Sequence, residues 1–354
     1  MPPVPGHPAA PLARAAPASP GSEGVETASV VIVCYNDATF VGDAIDSALA
    51  QRYPALEVVV VDDASTDGSW EVIAAYGERV RALRLPSNGG CPHARNRGAE
   101  LARGEWLMFL DSDDFIALDT VGALVEAARR APGSLAACGW EYLIRQPEGW
   151  MSYVPPRPFA PVGDPLAGWL EGNHAPLCAV LYPRGVYLDN GGFDEALRRY
   201  DDGDMAMRAF AYGAGVALAT GGRGFYRRHL GTRRSLSADN QSEAALRSQL
   251  RVYDKLVTLL ESQGRLEGYR PLIEARYGEI AVHAFEVGNF AVARDCLARG
   301  GRGAARVARS GTLAGRLLSA AVGLERKHRI TRMLRRWRTA LRTPGARGGE
   351  RAHG

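Results

Sequence analysis

Four short apolar runs alternate with helical stretches through residues 29–110, and two of them run straight into carboxylates. Residues 29–34 (SVVIVC), 56–61 (LEVVVV) and 105–110 are apolar runs of the kind expected of strands buried in a parallel sheet, and 80–85 reads as a further strand. Between the first two, Phe40, Val41, Ala44, Ile45, Ala48 and Leu49 fall on one helical face. Thr66 or Asp67 caps a second helix to about residue 76, and Pro92 opens a third that runs to 103. A helix over 119–130 and a strand over 134–140 follow. Strands alternating with helices across short loops predict an open, mostly parallel α/β sheet with flanking helices. Such sheets bind ligands beyond the carboxyl ends of their strands, so Asp62-Asp63 and Asp111–Asp114 should meet on one rim.

The rest of the chain is less regular. Pro155, Pro156, Pro158 and Pro161 mark a loop, 177–182 reads as a strand, and 191–194 as a turn. Residues 202–213 read as a helix and 225–230 as a late strand. From 240 onward the pattern is helical, with a hairpin of 272–285 and 290–299 joined at Gly288-Asn289. The expected organisation is a leader (1–27), an α/β domain (28–235), a helical extension (236–300) and a basic tail (301–354).

Composition narrows the class. No apolar run approaches the length of a membrane span, and the Pro/Ala-rich start lacks a signal peptide's basic and apolar regions, which predicts a disordered leader. The five cysteines show no paired spacing, as expected in a reducing cytoplasm. Residues 301–354 hold 14 basic and two acidic side chains, whereas the preceding 300 hold 29 basic and 37 acidic. That tail suits an anionic membrane surface, and 316–342 has the spacing of a basic amphipathic helix. An arginine-rich codon bias accounts for it equally well, since the chain has 41 Arg against two Lys.

The acidic strand ends carry the chemistry. A carboxylate at Asp62 can accept hydrogen bonds from a base or a ribose, although Asp63 or Ser65 can equally satisfy the turn backbone. A phosphoacceptor receiver domain would need a lysine downstream, and none precedes Lys255. Asp111 and Asp113, one residue apart, can share a divalent cation that neutralises a diphosphate.

Together these segments resemble the inverting family 2 glycosyltransferases, which carry the GT-A fold. The matching pieces are VVIVCYND (30–37), VVVVDDASTDGS (59–69), SNGGCPHARNRG (87–98), WLMFLDSDD (106–114), GGFDE (191–195) and DDGDMAMR (201–208). The resemblance implies a nucleotide-diphospho-sugar donor, usually UDP-linked, and a glycan or lipid-linked acceptor hydroxyl. It places Asp62 on the base, with the main chain of Cys34, Tyr35 and Asn36 lining the pocket. Asp111 and Ser112 would face the donor. Asp113, with Asp111, would hold Mn²⁺ or Mg²⁺, and His229 could complete that shell. Arg95 and Asn96 would lie near the diphosphate and sugar. Asp202 would be the catalytic base, with Asp201 replacing the family's glutamate and Asp204 structural. Transmembrane helices and a Gln-x-x-Arg-Trp motif, features of processive synthases, are not found, which favours single additions. No nucleic acid is expected as a partner. The location implied is the cytoplasm, peripherally at the inner membrane face. A sugar-nucleotide nucleotidyltransferase would want a Gly-rich basic loop after the first strand, where Cys34-Tyr35-Asn36-Asp37 stands. A non-catalytic nucleotide-sugar-binding module is the other alternative.

Overall fold

The computed structural model describes residues 26–146, 149–153, 163–228, 242–309 and 323–329. The expected leader up to residue 25, the loop around Pro155, the strand end at 229–230, His229 and most of the basic tail lie outside the described residues.

The first half follows the pattern read from the sequence. β1 (Ala28–Cys34), β2 (Leu56–Asp62), β3 (Arg81–Arg84) and β4 (Trp106–Asp111) are linked by α1 (Val41–Leu49), α2 (Ser69–Ala74) and α3 (Cys91–Leu101). β1 pairs in parallel with β2 and β4, and β2 with β3. All seven β1 residues are buried, and each valine so placed contributes about 2 kcal/mol of apolar burial. α1 turns Val41, Ala44, Ile45 and Ala48 into the core. α2 starts later than expected, at Ser69, whose amide donates to Asp67 Oδ1 at 2.9 Å. α3 packs so closely that a Cβ on Gly98 would lie 2.3 Å from Val31 Cγ1.

The second half comprises β5 (Phe115–Ile116), α4 (Thr120–Arg130), β6 (Leu135–Gln146), β7 (Gly149–Tyr153), α5 (Pro165–Leu170), β8 (Val180–Pro183), α6 (Arg184–Asp189), α7 (Asp201–Ala211) and β9 (Val216–Arg228). The sheet order among the described residues is β3-β2-β1-β4-β8-β6-β9-β5, with β7 paired to β6. The expected parallel pairing therefore holds throughout the first half, and the second half is mixed. β8 is antiparallel to both β4 and β6, β5 is antiparallel to β9, and β6 is parallel to β9. β9 begins nine residues before the expected strand. Its glycines break the apolar pattern but permit close packing: a Cβ on Gly224 would lie 2.4 Å from the Cys178 carbonyl oxygen.

The described residues form two compact units: the sheet and its helices with 251–269, and 242–250 with the residues from 270 onward. α8 (Glu243–Ser262), α9 (Leu266–Val287) and α10 (Phe290–Arg309) account for the C-terminal helices. The expected hairpin is α9–α10, turning at Gly288 (φ 85°), with Asn289 Oδ1 accepting from the Val292 amide at 3.2 Å. Among the described residues no helix is long and apolar enough to cross a membrane.

Candidate active site

Parallel pairing puts the carboxyl ends of β1, β2 and β4 side by side, with Cys34 opposite Asp62 and Val33 opposite Asp111. Both acidic clusters thus share one rim, as the topology required.

On the β2 side, Asp62 is fully buried, accepting from the Ser65 amide at 3.3 Å with Arg84 Nε at 3.2 Å. Arg84 was not singled out from the sequence. Its register opposite Asp62 at the end of β3 was the signal that could have found it. Asp63 is a framework residue: its two carboxylate oxygens take the Gly89 and Gly90 amides, each at 2.8 Å. Its own amide donates to the Cys34 carbonyl at 2.8 Å. Burial pushes the Cys34 thiol up to about 12, aided by Asp37 and Asp62, so it stays protonated and offers the rim only its main chain. Tyr35 is exposed. Asn36 ties the two loops together, accepting from the Thr66 amide at 2.7 Å and donating its own amide to Ser65 Oγ at 2.9 Å.

On the β4 side, the turn 111–114 sends its side chains different ways. Asp111 receives Arg95 Nη2 at 2.5 Å and is about one-third exposed. Ser112 faces inward, its hydroxyl donating to Asp37 Oδ2 at 2.7 Å. Asp113 is half-buried, and its carbonyl accepts from Arg227 Nη1 at 3.1 Å. Asp114 is buried and accepts from the Arg227 amide at 2.9 Å. Burial drives the Asp114 carboxyl well above the usual range, and Asp113 and Asp111 add to the shift. Arg227 also pairs with Asp43 at 2.6 Å while its guanidinium lies over the Phe40 and Phe115 rings.

The third carboxylate group opens α7. Arg95, buried on α3, bonds Asp111 with one terminal nitrogen and Asp201 with the other. Burial disfavours its charge, but Asp111 and Asp201 outweigh that and hold it protonated. Burial raises the Asp201 carboxyl; Arg95 opposes this, Asp202 and Asp111 reinforce it, and the outcome is about 6. Asp202 is half-buried and accepts from the Gly203 amide at 2.8 Å. Asp204 is turned into the structure, bonded to Arg208 Nε at 2.8 Å. Asn96 stands behind the rim with its amide fully engaged: Nδ2 donates to the Phe193 carbonyl and Glu195, and Oδ1 accepts from Tyr187 and the Phe193 amide.

Among the described residues, three non-glycines have positive φ: Asn36 (51°), Ala64 (60°) and Tyr200 (62°). Each lies just beyond β1 or β2, or just before α7, and strained backbone of this kind concentrates at functional sites. Ala64 and Tyr200 carry no sequence signal for it. Among the described residues no group of three His, Cys, Asp or Glu side chains is arranged to hold an ion. The carboxylate oxygens of Asp111 and Asp113 are nevertheless hard donors of the kind that would suit a divalent cation.

Comparison with known proteins adds to this geometry. Residues 29–181 match the family model described as glycosyl transferase family 2. A Bacillus subtilis protein named uncharacterized glycosyltransferase EpsJ is 28% identical over 214 residues, covering 57% of this chain and 61% of its own. The succinoglycan biosynthesis protein ExoO of Rhizobium meliloti is 42% identical over 113 residues, 32% of each chain. The chain thus spans less than two-thirds of the length of these curated relatives. The crystal structure of S. aureus TarS 1-349 in complex with UDP-GlcNAc aligns with a TM-score of 0.55 at 18% identity, covering 77% of this chain and 89% of that one. That likeness is one of fold.

Proposed function

We propose that the chain, whose residues 29–181 match the model of glycosyl transferase family 2, is a transferase of that family that moves a sugar from a nucleotide diphosphate, UDP first among the candidates, to an acceptor hydroxyl with inversion. The observation that carries this reading is the Arg95 bridge, which joins Asp111 on the donor rim to Asp201 beside the proposed base Asp202. One buried cation thereby ties the donor end and the acceptor end of a displacement together.

In this reading Asp62 and the main chain of residues 34–36 receive the nucleoside. Asp111 and Asp113 hold Mn²⁺ or Mg²⁺, which when bound supplies charge neutralisation at the diphosphate. Asp202 accepts the proton of the acceptor hydroxyl as that oxygen forms its bond to the anomeric carbon. The bond from that carbon to the diphosphate oxygen breaks with its electron pair, and the nucleoside diphosphate departs. Arg95 keeps its charge throughout and holds Asp111 and Asp201 at fixed separation. The name of the Rhizobium relative supports a place in polysaccharide biosynthesis, with a glycan or lipid-linked acceptor. The basic composition of 301–354 supports contact with an anionic membrane surface at the cytoplasmic face, where a lipid-linked acceptor would be presented. The transferase domain is taken as 28–235.

Calorimetric titration of UDP with and without Mn²⁺, on the native chain and on Asp113→Ala, tests the reading. Metal-dependent binding lost in the variant is the expected result, followed by turnover of one member of a UDP-sugar panel. No binding in either condition would exclude UDP and send the search to GDP- and dTDP-linked donors. Failure of all three would leave a non-catalytic module.

A further inference from the structure

Arginine supplies nearly all of the chain's positive charge, and Lys255 is one of only two lysines. It lies on α8, in the stretch 251–269 that belongs to the same compact unit as the sheet. Its ammonium donates to Asp194 Oδ2 at 2.5 Å and to Asp204 Oδ1 at 2.9 Å. Asp194 sits in the 191–195 turn, and Asp204 is two residues beyond Asp202 on α7. One side chain from outside the family-matched segment therefore fastens the turn to the helix that bears the proposed base.

The surroundings show why such a fastener is needed. Gly191 and Gly192 both have positive φ (78° and 70°), a conformation that the backbone does not hold by itself. Asn96 grips Phe193 and Glu195 from α3. Arg208 reaches the Gly192 carbonyl at 2.8 Å and Asp204 at 2.8 Å. Asp204 is almost wholly buried, so its charge needs paired cations. Burial pushes the Asp194 carboxyl up, but the bonded Lys255 ammonium outweighs this and holds it below its usual range. Arg208 already occupies one oxygen of Asp204, leaving room for a compact point charge rather than a second planar fork.

We propose that Lys255 is a positioning residue that fixes the first turn of α7 against the 191–195 turn and so aims Asp202. The inference rests on the assignment of Asp202 above. The test uses Lys255→Met, Lys255→Arg and Asp194→Asn in the full chain. Hydrogen exchange is followed in peptides covering 191–204, alongside kcat and KM for hydrolysis of UDP-N-acetylglucosamine and UDP-glucose and calorimetry with UDP and Mn²⁺. In Lys255→Met, exchange over 191–204 should quicken while β1 and β2 stay protected, and kcat should fall by about a hundredfold, the cost of a small misplacement of a reacting group. Donor KM and UDP affinity should stay within about threefold, since the donor rim is untouched. Asp194→Asn should reproduce the loss and the double variant should not deepen it. Lys255→Arg should recover part of the protection.

Unchanged exchange over 191–204 would overturn the proposal, whatever happens to thermal stability. So would quickened exchange with kcat intact, or a kcat loss matched by equal loss of folded protein. If the native chain hydrolysed no nucleotide sugar, the transferase reading would fall instead, and the exchange data alone would decide whether Lys255 orders this turn.

Discussion

The acidic turns after β2 and β4 look alike in sequence and do opposite work in the fold. After β2, Asp63 is fully occupied by the Gly89 and Gly90 amides, and Asp62 lies buried against Ser65 and Arg84. After β4, the buried structural member is Asp114, while Asp111 and Asp113 stay partly open to the rim. Each turn therefore commits carboxylates to backbone amides to fix its shape, Asp62 and Asp63 after β2 and Asp114 after β4. The difference lies in what remains: a sequestered acceptor at Asp62, and at 111–113 a pair of oxygens suited to a cation. Adjacent acids at a strand end are not interchangeable, because the turn decides which one faces the framework.

The largest expected effect lies at neither turn. Asp202→Asn should lower kcat by about 10²- to 10⁴-fold, the usual contribution of a general base, with UDP binding unchanged by calorimetry. A comparable loss of UDP binding would move Asp202 to the donor side. Asp113→Ala should weaken UDP binding in Mn²⁺ by about a hundredfold and abolish its metal dependence, while denaturant unfolding barely changes. Asp63→Ala should do the reverse, costing about 2 kcal/mol in denaturant unfolding because two part-buried amides lose their charged acceptor, and leaving the metal dependence of UDP binding in place. If these two variants exchanged phenotypes, the contrast between the turns would be inverted.

The smallest effect sharpens the third acidic group. The Asp201 carboxyl is raised to about 6 in the folded chain from an ordinary value of 3.8. The folded state therefore holds that proton more tightly than the unfolded one. The associated stability is fully present below the unfolded value and is lost as pH rises through about 6. Subtracting the unfolding free energies of Asp201→Asn from those of the native chain between pH 4 and 7 should leave a curve that falls with pH. A flat difference curve would mean that Arg95 cancels the burial of Asp201 completely.

Much of this is legible in the sequence. The four apolar runs, their helical spacers and the two acidic ends follow from periodicity, and parallel pairing alone brings Asp62 and Asp111 to one rim. The second half was harder because its strands do not look like strands. β9 carries Thr220-Gly221-Gly222-Arg223-Gly224, where glycine serves close packing against α4 and Cys178 rather than marking a loop. The positive φ of Ala64 and Tyr200 left no trace in residue type.

By itself the sequence determined the α/β layering and the shared rim, because burial periodicity and turn chemistry are local properties. Only the tertiary structure decided which carboxylates are framework and which face the site. It also decided that Arg95 reaches Asp201, 106 positions along the chain, while it holds Asp111, and that Lys255 reaches Asp194 and Asp204. Those pairings depend on how distant elements close on one another, and charges whose partners lie far along the chain carry no mark of their destination.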